Sequence, residues 1–141
     1  TQITAIAIVV VISALVTYYI RYGGTYGEAT LDPSTASGKY IPKDLPDALV
    51  ELDRIMGTKG RKEVLHAETE LEMMSQYHHG LGTWLRNSWG LWSGESRLAL
   101  YFYGLGVRHA DHMSSIVLRS YWRSLHNEPI DLDEQVVYYN D

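Results

Sequence analysis

Ile3 to Ile20 reads ITAIAIVVVISALVTYYI, an apolar run without one charged side chain. Roughly 18 residues at a helical rise of ~1.5 Å cover ~27 Å, close to the ~30 Å hydrocarbon thickness of a bilayer, so the run predicts a membrane-spanning helix. The hydroxyls of Thr4, Ser13 and Thr17 can bond to the helix's own carbonyls or to a neighbouring helix. Tyr18, Tyr19 and Tyr22 gather at its C-terminal end beside Arg21, where amphipathic rings and a snorkelling cation suit the headgroup layer. No basic stretch precedes the run and no small-residue cleavage site follows it, so it is expected to be a retained span rather than a cleaved signal. Arg21 and Lys39 are the cations nearest its ends, both on the C-terminal side, which places the remainder of the chain on the cytoplasmic side.

The pattern then loses its period. Residues 23–42, GGTYGEATLDPSTASGKYIP, are rich in Gly, Ser, Thr and Pro and read as an extended linker. From Lys43 onward apolar positions return at helical spacing. Asp44 can cap a helix from Pro46 to Met56 that turns Leu45, Leu49, Leu52 and Ile55 inward, and Gly57 is expected to stop it. A second helix is expected over Glu63–His79 through Val64, Leu65, Leu71, Met74 and Tyr77. Gly80, Gly82, Gly90 and Gly94 punctuate an aromatic stretch, and Leu98–Tyr103 forms a short helix closed by Gly104 or Gly106. Ala110–His126 is the clearest amphipathic helix, with Met113, Ile116, Val117, Tyr121 and Leu125 on one face and Pro129 as its stop, and Asp131–Tyr138 can supply one or two last turns. No alternating run is long enough for a strand, so the expected fold is all-α: a span at 1–22, a linker at 23–42 and a small helical domain at 43–141.

Composition narrows what such a domain can do. With 141 residues in all, there is room after the span for one domain with its own core. A net charge of −5 without a Lys/Arg run excludes a phosphate-backbone surface, so nucleic acid is not an expected partner. The absence of cysteine removes disulfides, thiolate nucleophiles and Cys-based metal ligation.

GLGTWLRNSWGLW at 80–92 and SRLALYFYGLGVRHADHMSSIVLRSYWRSL at 96–125 resemble an uncharacterised bacterial family of small helical domains. The family's pattern is a Gly-rich W-x-RN-x-W-x-LW segment, a YF-x-x-LG turn and an H-x-D-x-MS helix start running into SYxR. Trp84, Arg86, Asn87, Trp89, Leu91, Trp92, Tyr101, Leu105, Gly106, His109, Met113, Ser114, Ser120 and Tyr121 carry the likeness, which extends over 43–135. His112 stands where the pattern would have an acidic residue. The resemblance implies a small helical domain and no stated activity.

Candidate chemistry is sparse. His109 and His112 share a helix face at i, i+3, with Asp111 between them and His78–His79 upstream, and imidazoles suit zinc, copper or iron. The competing reading places His109 and Asp111 at a helix start, where they cap and complement the dipole, and no Glu-x-x-His pattern supports a specific metal site. No metal or cofactor is therefore expected. Ser114 and Ser115 lie near His112 without the strand–turn–helix elbow of a serine nucleophile, and Asp131, Asp133 and Glu134 read as a solvated face. Of the four tryptophans most belong in the core, and Trp92 and Trp122, flanked by polar neighbours, are the candidates for a binding surface.

The expected function is that of a non-catalytic, single-span accessory or assembly subunit of a larger bacterial integral-membrane complex, of the photosynthetic or respiratory energy-transducing kind. Its partners are other integral-membrane subunits and the lipid bilayer, met through Tyr18, Tyr19, Arg21, Tyr22, Trp92 and Trp122. The layout parallels that of the reaction-centre H subunit and of supernumerary respiratory subunits. A membrane-tethered metal-dependent enzyme using His109 and His112 is the alternative. A pilin-like filament subunit is a second, although Thr1 and Ala5 stand where that family would have Phe and Glu.

Overall fold

A computed structural model describes residues 40–140. The expected span at 1–22, with Tyr18, Tyr19, Arg21 and Tyr22, and most of the linker lie outside the described residues. Among the described residues no helix is long and apolar enough to cross a membrane. They form six helices and no strand, as the all-α expectation requires: α1 Leu45–His66, α2 Glu70–Tyr77, α3 Leu81–Ser88, α4 Arg97–Gly104, α5 Ala110–Leu125 and α6 Leu132–Asn140.

The arrangement is a hub with spokes. Every substantial helix–helix contact among the described residues involves α5, which touches each of the other five. A central helix must be buried nearly all round. Accordingly Met113, Ile116, Val117, Leu118, Tyr121 and Trp122 share α5 with buried Ser114, Ser115 and Ser120. The serines are small enough to admit close neighbours, and two of them accept hydrogen bonds from outside the helix, Ser114 from Arg86 at 2.8 Å and Ser120 from the buried Gln135 at 3.1 Å.

The helix ends follow local chemistry. Asp44 caps α1 by accepting from the Asp47 amide at 2.9 Å, with Pro46 in the first turn where its missing N–H is harmless. Gly57 stops the first helical stretch with φ 61 and ψ −168, as its position suggested, and a second stretch resumes beyond this kink and runs to His66. Arg61, beyond the break, pairs with Asp53 before it, and the Tyr121 hydroxyl donates to the same Asp53 carboxylate at 3.0 Å, so the kink is tied to the hub.

The single helix expected over Glu63–His79 is two. Thr69 accepts from the Glu72 amide at 3.1 Å, and the Glu72 carboxylate accepts from the amide of Glu68, the residue before the cap, at 2.9 Å, a variant of the capping box that starts α2 afresh. At the end of α5 the stop is Asn127, with φ 56 and the Glu128 amide returning to the Arg123 carbonyl at 2.9 Å; Pro129 only follows.

The packed domain also starts earlier than Lys43. Ile41 and Pro42, read as linker, are buried. The Tyr40 hydroxyl donates to Asp47 at 2.6 Å, and Arg97 places its guanidinium 5.4 Å from the Tyr40 ring centre while donating to the Ile41 carbonyl at 2.5 Å.

Candidate functional site

The segment between α3 and α4 holds the aromatic residues apart. Trp89, at the C-cap of α3, is 1% exposed and forms part of the core. Trp84, one turn earlier, meets it edge-on at 6.3 Å and is 42% exposed. Trp92 projects from the loop and is 57% exposed. Trp122, the other candidate for a surface, is 8% exposed: its indole N–H donates to the Ala67 carbonyl at 2.8 Å and its ring stacks on His126 at 4.1 Å. That hydrogen bond satisfies the one polar atom of the ring inside the fold, so Trp122 belongs to the core and not to an exposed binding face.

Around Trp92 the rings form a continuous ledge. Trp92 lies 5.9 Å from His109, His109 5.3 Å from His112, His112 5.1 Å from Tyr139, and Tyr139 4.9 Å from the exposed Tyr138. The antiparallel return of α6 along α5 makes this possible, since Gln135 reaches Ser120 at one end while Tyr139 reaches His112 at the other. Cations lie against the rings, Arg86 at 5.9 Å from Trp92 and Arg119 at 5.3 Å from Tyr138.

Arg86 anchors the ledge from within. It is 5% exposed, donates to Ser114 at 2.8 Å and Thr83 at 3.0 Å, and holds Asp111 at 3.1 Å. The Asp111 oxygen lies off the Nε–H direction, so this last contact is ionic rather than a hydrogen bond. A methyl group on Gly82 would approach the Arg86 guanidinium to 2.9 Å, which explains a glycine inside α3.

Several polar groups here have structural roles. His109 Nδ1 accepts from the Asp111 amide at 3.1 Å and so serves as the N-cap of α5. The Asp111 carboxylate is farther from that nitrogen, at 3.7 Å, and the capping bond is the contact that fixes the ring. His112 packs between His109 and Tyr139, while His78 and His79 form a separate edge contact at 5.1 Å. Among the described residues no group of three or more His, Asp or Glu is arranged to hold a metal. Ser114 donates to the Asp111 carbonyl at 3.1 Å and is fully buried, geometry that leaves no free hydroxyl for attack.

Elsewhere, burial and then the hydrogen bond to Asp53 push the Tyr121 phenol well above its ordinary value, and burial and Glu63 push Tyr77 up to about 12. Both are effects of packing against carboxylates rather than signs of a reactive phenol.

The sequence pointed to His109, His112 and Trp92, and these do share one surface. It marked Arg86 only as part of the family pattern and did not mark Tyr138, Tyr139 or Arg119; they join the surface because α3 and α6 fold onto the two flanks of α5. The class defined by these features is a small all-α domain built on one central helix, with an aromatic surface at that helix's N-terminal end. Residues 41–125 match the family described as "Domain of unknown function (DUF6794)", and the chain belongs to that family. Comparison with curated proteins and with solved structures yields no match.

Proposed function

We propose that this protein is a membrane-anchored, non-catalytic accessory subunit of a larger bacterial integral-membrane complex. On this reading the uncharged run from Ile3 to Ile20 spans the bilayer and, with Tyr18, Tyr19, Arg21 and Tyr22, meets neighbouring subunits, while the helical domain stays at the membrane face. The observation that carries the reading is an aromatic ledge that runs from the exposed Trp92 to the exposed Tyr138, beside which His109 caps α5 and Ser114 and Asp111 are bound to Arg86.

Extraction of the full chain from its native membrane in mild detergent, with identification of what co-elutes, tests the proposal. Integral-membrane polypeptides at a fixed ratio, lost when residues 3–20 are deleted, are expected. A chain that elutes alone with a stoichiometric metal, removed by His109→Ala with His112→Ala, would replace this reading with the metal-dependent one.

A further inference from the structure

We propose that the Trp92 end of the ledge docks on the headgroup layer of a zwitterionic phospholipid surface. The inference rests on the membrane-anchored reading above and assigns that ledge its occupant. Trp92 is the exposed member of the segment between α3 and α4, with its inner face toward the Arg86 guanidinium. An indole with an apolar body and one N–H donor has its natural place where hydrocarbon meets headgroup.

The charges beside it alternate. Arg108, exposed and 5.6 Å from the Tyr103 ring centre, adjoins His109 in sequence, while the Asp111 carboxylate is held at 3.1 Å by the same Arg86 that lies against the Trp92 ring. Such a mixture suits a headgroup carrying both signs, with phosphate toward Arg108 and the ammonium toward the outer face of Trp92. A wholly anionic surface fits less well, since the chain carries a net charge of −5.

The length of the tether supports this occupant over a distant one. Residues 23–39 number 17, and no chain of that length can reach beyond ~60 Å even when fully extended. A domain of ~100 residues has a radius of gyration of ~13 Å, so on the anchored reading it stays within about two of its own diameters of the bilayer. Such a limit raises the local concentration of lipid surface at the domain. The tether also joins the domain on the relevant side. Arg97 clasps Tyr40 and Ile41, and Ser96, beside it, packs against Gly90, two residues from Trp92.

All four tryptophans, at 84, 89, 92 and 122, lie in the domain, so indole emission from the full chain reports on the domain alone. The test is reconstitution of the full chain into phosphatidylcholine vesicles with and without brominated acyl chains. Quenching by the brominated lipid is expected, largely abolished in Trp92→Ser and reduced in Arg108→Glu, with far-UV circular dichroism unchanged in both. A chain that resists alkaline carbonate yet shows no quenching overturns the docking and leaves the anchor standing. Undiminished quenching in Trp92→Ser also overturns it, as does protection of Trp92 from acrylamide only when co-extracted subunits are present, which would give the ledge a protein partner. Release of the chain by carbonate overturns the anchor and the docking together.

Discussion

Trp89 and Trp92 stand three positions apart in one aromatic segment, and the structure assigns them opposite energetic roles. Trp89 is 1% exposed, and an indole buries ~150–250 Å². At ~25 cal/mol per Å² that is ~4–6 kcal/mol of transfer free energy as an upper bound, in line with the ~3–5 kcal/mol typical of Trp→Ala in a core. Trp92 is 57% exposed and its truncation leaves no cavity, so Trp92→Ala should lie within ~0.5 kcal/mol of wild type. For a domain of ~100 residues, where 1 kcal/mol corresponds to ~4–8 °C, Trp89→Ala should lower Tm by ~12–40 °C or unfold the domain outright. Urea and thermal unfolding followed by far-UV circular dichroism measure both. Equal destabilisation by the two substitutions would refute the division of the aromatics into core and surface.

Other perturbations probe the framework. Gly57→Ala should cost about 1–3 kcal/mol although nothing lies within 4 Å of the added methyl, because φ 61 with ψ −168 is a glycine conformation; an unchanged urea midpoint would sink the kink. Ser114→Ala should cost about 1–3 kcal/mol by leaving a buried guanidinium N–H without its acceptor, and a neutral result would show that Arg86 is not held as described. The raised Tyr121 phenol implies stability that is complete below its ordinary value of 10.0 and lost as pH rises through the folded-state value. Tyr121→Phe should therefore flatten the fall in Tm above pH ~10, and an identical alkaline limb in the variant would show that burial and the Asp53 contact do not hold the phenol protonated.

Periodicity and capping chemistry are local, and where they governed an element the sequence was readable. The Asp44 cap, the left-handed glycine at 57 and the long α5 helix were visible as side-chain types at fixed spacing. The break at Ala67–Thr69 was equally local, for Thr69 and Glu72 form a T-x-x-E capping pair, but the apolar period carried the expected helix straight across it. The fate of Trp122 was not readable, because it depends on the Ala67 carbonyl, 55 residues away. The ledge was half legible. His109, His112 and Trp92 stood out by residue type, whereas Arg86, Tyr138 and Tyr139 acquire meaning only through contacts of α3 and α6 with the hub. The Asp111 amide in turn makes His109 a cap, a role no spacing could separate from metal ligation.

A permanent anchor at Ile3–Ile20 is the central proposal for this chain, and alkaline carbonate extraction of membranes carrying the full chain tests it most directly. A spanning helix is effectively irreversible where an interfacial one is not. The full chain should stay in the membrane pellet, and a chain lacking residues 3–20 should appear in the supernatant. Recovery of the full chain in the supernatant would contradict the membrane-anchored reading.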